Sequence, residues 1–275
     1  MSAPVRVERT GPGGSVAHVV LDRPDVRNAL DPATVDTLRR EFVGLGREDP
    51  IALRVVVLRA EGPVFCSGAD IAAMRASAEL TREQNEADAM ALSEMLDAID
   101  RCPVPVVARV HGAALGGGMG LCAVSDLVIA EAGARFGFTE TRLGILPAVI
   151  APFVVAKIGE THARALFPGG RRFDAMRAAR IGLVHEVVEG DAALDTAVDA
   201  AVSDILASGP TAVRAAKAIV REIRGLPHES TRWHTARRIA MQRVTAEGQE
   251  GLRAFLERRR PAWLADDEGR GEHHE

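Results

Sequence analysis

The chain has 275 residues, a hydrophobic fraction of 47% and a formal net charge of −4. This length suits one large domain, and the hydrophobic fraction provides for a substantial core. Because 38 acidic and 34 basic residues are interleaved, no nucleic-acid-binding surface is expected. No stretch of the sequence approaches the ~18 consecutive apolar residues of a membrane span.

The N-terminus and the cysteines indicate the cellular setting. Residues 1–10 lead directly into strand-like alternation and lack the apolar core of a signal peptide. The three cysteines (Cys66, Cys102 and Cys122) show no CxxC spacing, which predicts reduced thiols and no zinc site. We therefore expect a cytoplasmic protein that binds neither a metal nor a membrane.

The first 160 residues alternate strand-like and helix-like segments. Apolar and β-branched runs predict strands at 15–21, 51–60, 104–110 and 125–131. The apolar periodicity predicts helices at 31–42, 83–101 and 148–159. The first helix begins at Asp31, whose carboxylate suits an N-cap, and Pro32 suits the first helical position. This alternation predicts an α/β fold.

The remainder of the chain has a helical period and mixed charge. Helical segments are expected from residue 173 onward, and Gly209 and Pro210 mark a boundary between two of them. No repeat or low-complexity linker separates this part from the first, so one folding unit is expected. The final segment, 265–275, is polar, and we expect it to be disordered.

A glycine-rich stretch at 111–126, HGAALGGGMGLCAVSD, stands out because glycine is unfavourable inside helices and strands. An explanation is needed for Gly116, Gly117, Gly118 and Gly120. One explanation is a tight strand-to-helix turn with close packing. A second is dinucleotide binding, since residues 118–123 match GxGxxG/A. Only residues 121–124 would then remain as helix, which is too short for a parallel crossover.

The third explanation is an oxyanion hole. A glycine-rich loop that leads into a helix presents free backbone N–H groups and the positive end of the helix dipole. Such donors stabilise negative charge that develops on a carbonyl oxygen during a reaction. A second donor is needed, and the loop at 62–71, GPVFCSGADI, also follows a buried strand and places Gly68 before a predicted helix.

Six blocks of the sequence resemble the enoyl-CoA hydratase/isomerase (crotonase) family in order and spacing. They are RPDVRNAL, FCSGADI, VHGAALGGGMGL, SDLVIAEAGARFGFTETRLGILP, AARIGLVHEVV and EGLRAFLERRRPAW. The resemblance covers about residues 5–264. It implies an α/β spiral of ββα turns over 1–190 and a helical trimerisation region over 191–264. It also implies a homotrimer or a homohexamer.

The resemblance implies a site for an acyl-CoA thioester and no cofactor beyond the coenzyme A of the substrate. The amides of Ala69 and Gly117 correspond to the family's pair of donors to the thioester oxygen. Glu140 corresponds to its catalytic acid/base. The residues expected to line the substrate site are Arg27, Ser67, Gly68, Asp70, Ile71, Gly116 and Gly120.

The sequence departs from the family pattern at two places. Gly120 stands where hydratases of the family commonly carry a first glutamate, so Glu140 is the single matching acid/base. The segment LPAVIAPFVV at 146–155 stands where many relatives have a glycine-rich segment. Together these departures resemble the branch that hydrates methylglutaconyl-type or isohexenylglutaconyl-type CoA esters. We hypothesise that Gly120 opens room for a β-branched or carboxylated acyl group.

Other activities stay open at this point. An isomerase or a dehalogenase would use the same oxyanion hole, and a weakly catalytic CoA-thioester-binding subunit would tolerate the missing glutamate. A thiol/imidazole pair of Cys66 and His111 is less favoured, because no orienting carboxylate is evident. The arginines at 258–260 are interpreted as a solvated helix end, with a phosphate contact to a neighbouring subunit as the alternative.

Overall fold

Two β-sheets form the framework of the structure, a computed structural model that describes residues 3–267. The strands are β1 (Val5–Thr10), β2 (Val16–Leu21), β3 (Val55–Ala60), β4 (Val106–Val110), β5 (Ala113–Leu115), β6 (Leu127–Glu131), β7 (Arg135–Gly137), β8 (Phe173–Asp174) and β9 (Glu186–Val188). The larger sheet has the order β1-β2-β3-β4-β6-β9, and the smaller sheet has the order β5-β7-β8.

Helices pack around these sheets and extend beyond them. They are α1 (Pro32–Leu45), α2 (Ile71–Ser77), α3 (Arg82–Asp100), α4 (Gly117–Val124), α5 (Ala151–Leu166), α6 (Ala175–Arg180), α7 (Asp191–Ala207), α8 (Pro210–Glu222), α9 (His228–Arg243) and α10 (Ala246–Glu257). Within residues 3–267, no helix is long and apolar enough to cross a membrane.

The larger sheet is parallel apart from its β1 edge, which pairs antiparallel with β2. Its central strands are apolar runs because both faces of the sheet are covered. The main core lies on one face, where α1 and α3 pack. On the other face, Leu194 and Val198 of α7 pack against Val55, Val57 and Val107. The predicted α/β class is confirmed.

The position of α7 bears on the predicted boundary at residue 190. This helix is the first element of the expected trimerisation region, yet it packs on the larger sheet. The buried Arg109 of β4 also donates to Asp191 and Asp195 of α7. In this structure α7 is therefore part of the core of the chain.

Several predicted bounds were wrong. The strand predicted at 51–60 begins at Val55, because residues 51 and 52 form a turn in which Ile51 is exposed. The helix predicted at 148–159 spans Ala151–Leu166, with a break at Gly159. Of the tail expected to be disordered, residues 265–267 belong to a 3-10 turn and residues 268–275 lie outside the described part.

Candidate active site

Four segments of the chain lie side by side at the start of α4. Leu115 N–H donates to Cys66 O at 3.0 Å, which joins the loop after β3 to β5. Leu30 N–H donates to Gly68 O at 2.8 Å, which brings the turn before α1 against the same loop. Gly116 N–H donates to Gly137 O at 3.0 Å, which adds the end of β7. The two glycine loops of the sequence are thus neighbours in space.

Positive φ angles shape both loops. Gly68 has a φ of 98° and Gly116 has a φ of 49°, values that side chains disfavour. The position that a β-carbon on Gly68 would take lies 3.1 Å from Leu115 O and 3.7 Å from the Cα of Gly116. Glycine therefore allows the backbones of the two loops to approach each other closely.

The backbone amides of Gly117 and Ala69 have no acceptor within residues 3–267. Gly117 is the first residue of α4, so its N–H is one of the orphan donors of that helix. Ala69 forms a bridge with Leu30 through the backbone groups of its neighbours Gly68 and Asp70, and its own N–H donates to no described atom. Both amides belong to the two glycine loops that lie next to each other in the fold.

Glu140 lies at the beginning of a 3-10 turn that follows β7. Its Oε1 atom is 3.5 Å from the position that a β-carbon on Gly116 would take, so the carboxyl group faces the glycine loop. Its Oε2 atom is buried and has no hydrogen-bond partner. Burial raises the pKa of this carboxyl group above its ordinary range, and a hydrogen bond from its own backbone N–H offsets part of that effect.

The loop at 67–71 combines exposed and structural groups. Ser67 N–H donates to the carbonyl of the exposed Arg27 at 3.0 Å, and Ile71 is also exposed. Asp70 is buried, and its carboxylate caps α2 through the amides of Ala72 and Ala73. Its other oxygen pairs with Arg23 at 3.1 Å. Asp70 therefore stabilises the conformation of the loop, and both of its carboxylate oxygens already have partners within the chain.

The expected opening at Gly120 is contradicted by the structure. A β-carbon at this position would lie 2.7 Å from Cγ2 of Ile150 and 3.3 Å from both δ-carbons of Leu96. These side chains fill the space that the missing glutamate was expected to leave. The hypothesis of extra acyl-group volume at Gly120 is therefore wrong.

The glycine run leads into a helix, since Gly117, Gly118 and Gly120 lie in the first half of α4. The dinucleotide interpretation is excluded because β5, before the run, and β6, after it, belong to different sheets. The run has a packing role as well, since a β-carbon on Gly118 would lie 2.8 Å from Cys66 O.

The thiol/imidazole alternative receives no support from the geometry. Burial raises the pKa of the Cys66 thiol to about 12, which suppresses the thiolate that a nucleophile needs. His111 Nε2 lies 2.8 Å from Gly62 O, and its Nδ1 lies 3.3 Å from Arg109. Within residues 3–267, no group of three or more His, Cys, Asp and Glu side chains could hold a metal ion.

Three residues around the site were missed by the sequence analysis. Arg23 pairs with Asp70 and Asp31 and donates to Ala29 O, so it ties the turn before α1 to the 67–71 loop. Nothing in the local sequence distinguishes it from a surface arginine. Ile150 and Leu96 contact Gly120. The unusual segment 146–155 was noticed, but its connection to Gly120 depends on tertiary packing.

The chain is similar to known proteins over nearly its whole length. A family model for enoyl-CoA hydratase/isomerase matches residues 12–266. A crystal structure of an enoyl-CoA hydratase from Shewanella pealeana is 35% identical, with a TM-score of 0.88 over 94% of this chain and 96% of that chain. An enoyl-CoA isomerase/hydratase from Mycosarcoma maydis is 32% identical over 267 residues, covering 90% of this chain and 91% of the relative.

A further relative is the mevalonyl-coenzyme A hydratase of Aspergillus fumigatus, which is 30% identical over 269 residues. That match covers 92% of each chain. The match to the family model and these full-length likenesses confirm the crotonase fold expected from the sequence. The chain belongs to the enoyl-CoA hydratase/isomerase family.

Proposed function

We propose that this protein is an enoyl-CoA hydratase that adds water across the 2,3 double bond of an enoyl-CoA thioester. The observation that carries the proposal is the half-buried carboxyl group of Glu140, which lies against Gly116, next to the unpaired Gly117 amide, and has a buried oxygen without a partner. A buried titratable group beside free donors is typical of a catalytic site.

The amides of Ala69 and Gly117 are proposed to bind the thioester oxygen. When a nucleophile attacks Cβ, electrons move through the conjugated system and negative charge develops on this oxygen. Two fixed N–H donors, one of them at the N-terminus of α4, stabilise that charge without reorganisation. Because both donors belong to the backbone, the side chains at these positions need only remain small.

Glu140 is proposed to move both protons of the reaction. Its carboxylate accepts a proton from water as the water oxygen bonds to Cβ, and the enolate forms at the thioester. The protonated Glu140 then delivers a proton to Cα, which restores the carboxylate and yields the 3-hydroxyacyl thioester. Acid–base assistance of this kind contributes typically ~10²–10⁴-fold to the rate. The reaction needs no cofactor beyond the coenzyme A of the substrate.

The coenzyme A portion is proposed to lie along the 67–71 loop and near Arg27. The exposed guanidinium of Arg27 suits a phosphate group, and the exposed side chain of Ile71 offers apolar contact. For the acyl portion, a β-branched or glutaconyl-type group is proposed. The relative named mevalonyl-coenzyme A hydratase supports this class, since a mevalonyl group is branched at Cβ.

An isomerase is the second candidate. Moving a double bond requires one group that removes a proton and returns it to another carbon, and Glu140 is the single matching acid/base. The relative from Mycosarcoma maydis is named an isomerase/hydratase.

A panel of CoA esters tests these alternatives. It includes crotonyl-CoA, 3-methylglutaconyl-CoA and a 3-enoyl-CoA. The hydratase predicts 3-hydroxyacyl products from the 2-enoyl esters, whereas the isomerase predicts that the 3-enoyl ester becomes a 2-enoyl ester without hydration. Binding of the esters without turnover would contradict both and indicate a CoA-thioester-binding subunit.

A homotrimer or a homohexamer is proposed for the assembly. Large apolar side chains are highly exposed on the last two helices, including Trp233 and Phe255 at 82% and 81%. α9 has no buried residue at all in the isolated chain. Several large exposed apolar side chains on neighbouring helices are typical of a protein–protein interface.

A further inference from the structure

Gly120 lies where three helices meet. It belongs to α4, which packs against both α3 and α5. Leu96 comes from α3, and Ile150 is the residue that caps the N-terminus of α5. Both side chains are buried, with Ile150 2% exposed and Leu96 fully buried. The absence of a side chain at Gly120 lets these helices approach one another.

Ile150 leaves no room for a side chain at position 120. Its Cγ2 methyl is 2.7 Å from the position that a β-carbon on Gly120 would take, which is shorter than any ordinary carbon–carbon contact. This methyl is bonded directly to Cβ, and β-branched side chains are restricted at χ1. Relief would therefore need movement of the α5 backbone or a change of residue 150. Leu96 contributes δ-methyls that adjust more easily.

A side chain at position 120 would point toward the N-terminal end of α4, where the reaction is proposed to take place. Helical side chains lean toward the helix N-terminus. That end of α4 carries the Gly117 amide and Gly116, against which the Glu140 carboxyl group lies. The methyl group of Ile150 thus stands where a carboxylate at position 120 would pass.

We infer that Gly120 and Ile150 form a sterically coupled pair. Ile150 is a positioning residue, because it occupies the space that an acidic side chain at position 120 would need. Glu140 is therefore left as the single titrating group of the reaction. The inference rests on the proposed function. It joins the two sequence departures, at 120 and at 146–155, because the second fills the space left by the first. With methyl groups in place of a second acid, Glu140 titrates without a coupled carboxylate.

Thermal unfolding tests the coupling without any substrate. Gly120→Ala is expected to lower Tm by about 5 °C, because overpacking is destabilising. Ile150→Ala removes the γ-methyl, so Gly120→Ala should lower Tm much less in the Ile150→Ala background than in the wild type. Ile150→Val keeps both γ-carbons and is the matched control. In this background Gly120→Ala should lower Tm as much as it does in the wild type. Equal costs of Gly120→Ala in all three backgrounds would overturn the coupling.

The pH dependence of turnover tests the positioning role. On crotonyl-CoA, kcat/KM of the wild type is expected to show one ionisation on its acid side. Gly120→Glu combined with Ile150→Ala should add a second ionisation and exceed Gly120→Glu alone by at least about tenfold. A second ionisation in Gly120→Glu alone, with a rate equal to that of the double variant, would overturn the inference.

The Tm measurements and the pH profiles distinguish a failure of this inference from a failure of the proposed function. If the wild type turns over none of the CoA esters, the proposed function fails and the positioning role fails with it. The Tm cycle would then still decide whether residues 120 and 150 are sterically coupled. If the wild type is active but the Tm costs are additive, the inference fails and the proposed function stands.

Discussion

The Glu140 carboxyl group lies against Gly116, with Oε1 3.5 Å from the position that a β-carbon on that glycine would take. Gly116 directly precedes the free amide of Gly117. The Glu140 carboxyl group and the free Gly117 amide are therefore close together, although 23 positions of sequence separate residues 117 and 140.

Glu140→Gln is expected to lower kcat for hydration by roughly 10²–10⁴-fold, because the amide cannot accept and return a proton. KM should change much less, since the amide preserves the shape of the side chain. Steady-state kinetics on the best ester of the panel measures both. Turnover of the Gln variant within about threefold of the wild type would remove Glu140 from the reaction.

The raised pKa of Glu140 predicts a specific pH dependence of activity. Hydration needs the carboxylate as base, and burial raises the pKa of this group above the ordinary glutamate range. We expect kcat/KM to fall on the acid side at a higher pH than an exposed glutamate would produce. Rates measured between pH 4.5 and 8 check this. A flat acid limb down to about pH 4.5 would contradict it.

The same pKa shift predicts how stability changes with pH. A carboxyl group whose pKa is raised in the folded state favours folding most at pH values below its pKa in the unfolded state. That contribution to stability is lost as pH rises through its pKa in the folded state. Relative to the wild type, Glu140→Gln should therefore gain stability between pH 5 and pH 8. Urea unfolding at both values measures the difference. A constant difference in unfolding free energy across this range would contradict the burial argument.

Gly117 offers a way to delete one amide. It is the first residue of α4, the position at which proline is best tolerated, and proline removes the N–H. Gly117→Pro is expected to lower kcat by roughly 10²–10³-fold, the range for one oxyanion donor. Gly117→Ala is the matched control. Its β-carbon also meets Leu30 Cδ1, at 2.9 Å, but its N–H remains.

Circular dichroism and Tm must show that both Gly117 variants fold. If the folded proline variant retains the rate of the alanine variant, the Gly117 amide does not bind the developing charge. If both variants lose activity equally, the loss follows from the contact with Leu30 and again the amide has no separate role.

Asp70 is expected to support the loop that carries the Ala69 amide. Burial alone would raise its pKa, but the Ala72 and Ala73 amides and Arg23 lower it. Asp70→Ala should cost about 1 kcal/mol of stability through loss of the helix cap and should also raise KM.

Asp174→Ala is the matched control for Asp70. Asp174 caps α6 through the Arg177 amide, outside the candidate site. This variant should lose similar stability without any change in KM. If the two variants change KM alike, the effect is a general consequence of lost stability.

The exposed apolar surface of α9 and α10 predicts an oligomer. Phe255→Glu is expected to shift the assembly toward monomer, because a charge would be buried at the interface. Ile51→Glu is the control, since Ile51 is 75% exposed on a turn far from these helices in sequence. Sedimentation velocity measures the mass. A monomeric wild type at micromolar concentration would contradict the proposed assembly.

Local sequence signals predicted the longer elements well. The first helix is capped by Asp31, whose Oδ1 accepts from Thr34 N–H at 2.8 Å, as the cap-and-proline pattern indicated. The helix predicted at 83–101 is present as Arg82–Asp100. Such signals act within one or two turns of the chain, so they can be read from neighbouring residues.

The short strands of the smaller sheet could not be predicted in this way. β5, β7 and β8 contain three residues or fewer, and each depends on a partner distant in sequence. The packing at Gly120 also depends on residues that are distant in sequence. Its neighbour Ile150 is 30 positions away, so the glycine was interpreted as open space where the fold places a methyl group.

Isotope transfer from water shows whether this protein catalyses hydration at the proposed site. The wild type is incubated with crotonyl-CoA or 3-methylglutaconyl-CoA in H₂¹⁸O, and the product is analysed by mass spectrometry. We expect the wild type to form a 3-hydroxyacyl-CoA that carries one ¹⁸O, and we expect Glu140→Gln and Gly117→Pro to form much less of it. Unlabelled ester after prolonged incubation with the folded wild type, or equal labelling by all three proteins, would contradict it.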